Sequence, residues 1–134
     1  MNPKSNIDEW YRFVDMYANT INYLLDNYQT YDAICYLSVL SAECAMKVFL
    51  LERSPEVPLP ETHNLTELCQ ICARFEDGFS SLLEDCQALG RFCTSYGIPT
   101  FETVSREDAI HALKAAKAVL SQTLEQTQGL TMTM

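Results

Sequence analysis

Long segments of helical periodicity alternate along this chain with short polar or proline-bearing breaks. From Asn6 to Asn27 apolar side chains recur every three or four residues, at Ile7, Trp10, Val14, Tyr17, Ile21, Leu24 and Leu25. That spacing gathers them on one face of an α-helix, since 3.6 residues complete a turn. Ser5 with Asp8 three residues on forms a capping box, and Asp8 and Glu9 suit the positive end of the helix dipole. Tyr28 to Thr30 reads as a short turn, with Thr30 capping the next helix.

The second helix, expected from Tyr31 to Arg53, is different in kind. Ile34, Leu37, Val39, Leu40, Ala45, Val48, Phe49, Leu50 and Leu51 cover most of its circumference. A helix that is apolar nearly all round is buried, so it is the centre of a bundle or part of a dimer interface. Pro55, Pro58 and Pro60 end it and impose an extended connection. Asn64 with Glu67 forms another capping box, opening a helix that carries Leu65, Leu68, Ile71, Cys72 and Phe75.

Gly78 interrupts or kinks that helix. The apolar pattern then resumes with Phe79, Leu82, Leu83, Cys86 and Leu89 up to about Cys93. A loop from Tyr96 to Thr103, containing Gly97 and Pro99, leads to a last helix capped by Ser105 and Asp108. Ala109, Leu113, Ala116, Leu120 and Leu124 line one face of it. Residues 128–134 have no packing partners and are expected to form a disordered tail. No segment reads as a strand. The expectation is an all-α, up-down bundle of four to five helices, a single domain over residues 1–127.

Composition narrows the function. With 134 residues and 48% hydrophobic side chains, the chain has material for a core without disulfides or metal. Nine basic residues against 18 acidic ones give a net charge of −9, which argues against free-standing nucleic-acid binding and against docking on an anionic membrane. The excess is uneven: residues 54–104 hold two basic and eight acidic side chains. Four glycines leave little room for a phosphate-cradling loop.

The first thirteen residues mix charges and contain no apolar run, unlike a signal peptide. The apolar stretch from Ala33 to Leu51 is broken by Ser38, Ser41, Glu43 and Lys47, which argues against a membrane span. A cytoplasmic location is therefore expected, with the six cysteines as small buried hydrophobes. Cys69 and Cys72 form a C-x-x-C, but no second pair or nearby histidine pair completes a zinc set. Neither a metal nor a cofactor is expected.

Three features carry candidate chemistry. Helix two contains Glu43 and Lys47, an i, i+4 pair in the favourable order. The proline-bearing connection ends in Thr62-His63-Asn64-Leu65, with Leu68 completing T-H-x-L-x-x-L. The last helix opens Ser105-Arg106-Glu107-Asp108-Ala109 after an aromatic and proline-bearing loop. Glu43 and Lys47 either join the bundle to itself or line a polar cleft. His63 packs the connection against that pair or touches a ligand.

In order and spacing, these features resemble the HEPN family of helical nucleotide-binding domains, over roughly residues 5–127. The family pairs E-x-x-x-K on its second helix with T-H-x-L at the start of its third. The resemblance implies a HEPN-like bundle that frequently works with a minimal nucleotidyltransferase, as in toxin–antitoxin or mobile-element operons. Members with an R-x(4–6)-H motif near the last helix cleave RNA, and Arg106-x4-His111 has that spacing. The family's arginine more usually ends the preceding helix, where Arg91 stands.

Five residues on one helix are about 140° apart, so Arg106 and His111 do not converge without a dimer mate or local unwinding. The leading expectation is a non-catalytic module that dimerises through helix two and binds a nucleotide or a partner protein. Glu43, Lys47, His63 and Arg91 are its ligand-binding candidates. The alternative is a metal-independent ribonuclease, with His111 as general acid or base and Arg106 holding the phosphate. A structural domain that binds nothing small is a third possibility.

Overall fold

The computed structural model describes residues 7–27, 31–54, 56, 58–94, 99–100 and 103–126. Five α-helices follow one another: α1 (Ile7–Asn27), α2 (Tyr31–Arg53), α3 (Leu65–Phe75), α4 (Leu83–Gly90) and α5 (Arg106–Gln126). A 3-10 segment, Asp77–Leu82, joins α3 to α4. Among the described residues there is no strand, although Cys93 and Pro99 form an isolated antiparallel bridge in the α4–α5 connection. The architecture is the expected all-α bundle. The Ser5 and Thr30 caps, the 28–30 turn, Pro55, most of the 96–103 loop and the 128–134 tail lie outside the described residues.

Helix α2 occupies the centre because no face of it suits water. Ile34, Val39, Ala42, Met46, Val48 and Phe49 are all fully buried, with α1, α3, α4 and α5 packed around them. Its polar positions do not interrupt this burial. Ser38 is itself buried and donates its hydroxyl to the Ile34 carbonyl at 2.8 Å, so the helix satisfies its own polar group. By length and composition alone α2 could cross a membrane, and most of it is enclosed by the other helices. Most of the apolar surface of α2 is covered within one chain, while Leu37 and Leu40 stay partly exposed.

Gly78 marks a complete break rather than a kink. Helix α3 stops at Phe75 and Glu76 is extended (φ −147°, ψ 110°). A Cβ on Gly78 would lie 2.6 Å from the Gln122 side-chain amide of α5. The break turns Phe79 inward onto Phe49 of α2, with ring centroids 4.6 Å apart. Helix α4 ends at Gly90, three residues before the expected limit.

The two described caps form as the spacing predicts, with one difference. Ser105 and Asp108 close a reciprocal box: the Asp108 N–H donates to Ser105 Oγ at 3.1 Å, and the Ser105 N–H to Asp108 Oδ2 at 2.9 Å. At α3 the Glu67 N–H donates to Asn64 Oδ1 at 2.9 Å, but the return arm runs through Thr62. The Thr62 hydroxyl donates to Glu67 Oε2 at 3.2 Å and accepts the Asn64 N–H at 3.1 Å. Thr62 thereby fixes the backbone on either side of His63.

Candidate functional site

The expected stripe of α1 is buried only along its middle. Val14, Ala18 and Ile21 are buried, whereas Trp10, Tyr17 and Leu24 are partly open; the side chains of Ile7 and Leu25 lie outside the described residues. Along this open edge α1 and α2 leave a groove of about 440 Å³. Glu9, Trp10, Phe13 and Tyr17 line one side, and Leu40, Glu43 and Cys44 the other. Phe13 stacks on Tyr17 with centroids 6.3 Å apart.

Glu43 belongs both to this wall and to a charged network behind it. Its Oε2 accepts from Lys47 Nζ at 2.9 Å, and His63 Nδ1 lies 2.9 Å from the same oxygen. A carboxylate only accepts, so Nδ1 carries the ring proton in this contact. The side chains of Glu43 and Lys47 are 10% and 11% exposed, His63 42%. The structure thus brings together all three residues singled out on α2 and in the T-H-x-L connection. The network ties that connection to the central helix, and Thr62 and Asn64 present His63 to it.

Burial and the Glu43 charge shape the neighbouring groups. Burial pushes the Cys44 thiol up to about 12, and Glu43 adds to that more than Lys47 offsets. Tyr17 is also raised, by burial first and then by nearby Cys44, Tyr36 and Glu43. Both groups stay protonated near neutral pH. Glu43 Oε1 and Ser41 Oγ are buried and have no hydrogen-bond partner among the described residues.

Arg91 and His111 fall elsewhere. With Ala88, Phe92, Asp108 and Ala112 they line a depression of about 130 Å³ between α4 and α5. Arg91 Nη1 lies 3.2 Å from Asp108 Oδ1, and its guanidinium sits 4.8 Å from the centre of the Phe92 ring. Asp108 is held below the usual carboxylate range, first by the Ser105 backbone N–H and then by Arg91. Arg106, the first residue of α5, is exposed and is not part of this depression. Because α5 is continuous from Arg106 to Gln126, the Arg106/His111 spacing keeps its separation of about 140°.

Five of the six cysteines are buried and Cys93 is partly so; all six are thiols. Cys69 and Cys72 lie within α3, and Cys69 donates to the Phe79 carbonyl at 3.1 Å. No cluster of three or more His, Cys, Asp or Glu side chains among the described residues is placed to hold a metal ion. The sequence pattern places Trp10 and Tyr17 on one apolar stripe and does not show the groove they line. The signal available was Phe13, an aromatic residue just outside the expected stripe.

Comparison with known proteins adds one finding. No curated protein and no solved structure matches the chain. A family model, that of the HEPN domain, matches residues 7–126, which run from the first residue of α1 to the last of α5. The bundle, the buried E-x-x-x-K pair and the T-H-x-L connection docked on it all lie within that match, and the chain belongs to the HEPN domain family.

Proposed function

We propose that this chain is a non-catalytic HEPN binding module that works as a homodimer and recognises a nucleotide or a partner protein. A minimal nucleotidyltransferase is the partner class implied by the resemblance. The observation that supports a non-catalytic reading is that Arg106 and His111 do not converge within one chain, because α5 runs uninterrupted between them; cleavage through that pair would need the second protomer. The exposed apolar residues Met16 and Tyr23 of α1 offer a dimer surface that leaves Phe13 to the groove. Arg91 and His111 offer donors to a phosphate or to an acidic partner side chain.

A thermal-shift titration with ATP and other nucleotides, run beside light scattering, tests this. A dimer mass with a saturable rise in Tm supports it. A monomer unmoved by every nucleotide contradicts both the dimer and the nucleotide.

A second reading, a metal-independent ribonuclease, is favoured by one observation: His111 shares its depression with Arg91. In that version Arg91, not Arg106, holds the scissile phosphate and His111 moves the proton.

A further inference from the structure

The α1–α2 groove has the composition of a cation site rather than an anion site. Its walls carry three aromatic rings (Trp10, Phe13 and Tyr17) and two carboxylates (Glu9 and Glu43), and among the described residues no basic side chain lines it. Aromatic faces carry negative quadrupole density and attract a cation, most strongly where water is excluded. The rim already shows this chemistry: the Arg12 guanidinium sits 5.6 Å from the centre of the Phe13 ring and 3.2 Å from Glu9 Oε2. Deeper in, the Glu43 side chain is nine-tenths buried, and its Oε1 has no hydrogen-bond partner among the described residues. Lys47 and His63 both lie on the other oxygen.

We propose that this groove binds a small organic cation with an apolar body, such as an aryl-alkyl ammonium ion. The rings of Trp10, Phe13 and Tyr17 enclose the body, and the negative charge of Glu9 and Glu43 in the walls attracts its charged end. A volume of about 440 Å³ suits a ligand of that size. The carboxylates and the overall charge of −9 disfavour an anion in the same place. The assignment goes beyond the nucleotide or partner reading and does not depend on it.

Trp10 is the only tryptophan in the chain, so intrinsic fluorescence reports on the groove directly. The full chain is titrated with phenethylammonium, with neutral phenethyl alcohol and with anionic phenylacetate, three probes of similar shape and different charge. The expected result is a saturable change with the ammonium ion, at least about tenfold tighter than with the alcohol, and none with phenylacetate. Phe13→Ala, at an exposed position that leaves the core intact, weakens ammonium binding. Glu43 variants perturb a buried ion pair, so the charge series on the unaltered protein stands as the independent measurement. Equal affinity for ammonium and alcohol overturns the assignment, as does a preference for the carboxylate or no saturable change. Binding of a lysine-bearing peptide without binding of the free ammonium ion also overturns it, in favour of protein docking.

Discussion

His63 Nδ1 lies 2.9 Å from Glu43 Oε2, joining the T-H-x-L connection to the central helix through an oxygen that also takes Lys47 Nζ. A buried carboxylate with two donors on one oxygen is tolerated only while its countercharge is present.

Lys47→Ala is therefore expected to destabilise the fold by about 3–5 kcal/mol, far more than the few tenths lost with an exposed i, i+4 pair. The double variant Glu43→Leu/Lys47→Met removes both charges and is expected to recover most of that loss. Urea denaturation of the unaltered protein and the two variants measures it. A cost below about 0.5 kcal/mol for Lys47→Ala would mean that the pair is solvated.

Asp108 makes the fold sensitive to acid. Its folded-state pKa lies below the unfolded value, because the Ser105 backbone N–H and then Arg91 favour the ionised form. Its contribution is present above the unfolded value and is lost as pH falls through the folded one. Asp108→Asn is expected to lower Tm at neutral pH and to flatten the decline as pH falls below the usual carboxylate range. Parallel acid-limb curves for the two proteins would contradict this.

Asp15 has the opposite sign. Burial raises its pKa, and its Oδ1 has no hydrogen-bond partner among the described residues. Ionised Asp15 therefore opposes folding at neutral pH, and stability is gained as pH falls through the raised value. Asp15→Asn is expected to raise Tm at pH 7, with the gain shrinking as the solution is acidified. A lower Tm at pH 7 would show that the ionised form is favoured by the fold.

Phe79 anchors the 3-10 segment through its ring contact with Phe49, and both residues are fully buried. Phe79→Ala is expected to cost about 3–5 kcal/mol, in line with other large aromatic truncations in cores. Phe75→Ala, on the exposed end of α3, serves as the control and should change stability by less than about 1 kcal/mol.

Much of this fold was legible in the chain because its signals are local. The all-round apolar character of residues 31–53 placed α2 at the centre, and the Asn64 and Ser105 caps set the starts of α3 and α5. The meeting of Glu43, Lys47 and His63 could be anticipated from the order of the motifs, since the connection must fold back beside the helix it leaves. The groove could not, because it depends on how far apart α1 and α2 sit at Trp10 and Tyr17, a tertiary quantity. The pairing of Arg91 with Asp108 was hidden for the same reason: Asp108 was legible as a cap, but not the approach of α4 to its second oxygen. On α2 Ser38 satisfies its hydroxyl on its own helix, so a polar position there is compatible with the burial that the apolar pattern predicts.

The central claim is that this HEPN chain binds without cutting, and incubating the purified protein with RNA tests it most directly. His111→Ala and Arg91→Ala are run in parallel, with no divalent metal added. The account predicts intact RNA in all three reactions. Cleavage by the unaltered protein that is lost in His111→Ala would contradict it, and its loss in Arg91→Ala as well would place the catalytic pair in the depression between α4 and α5.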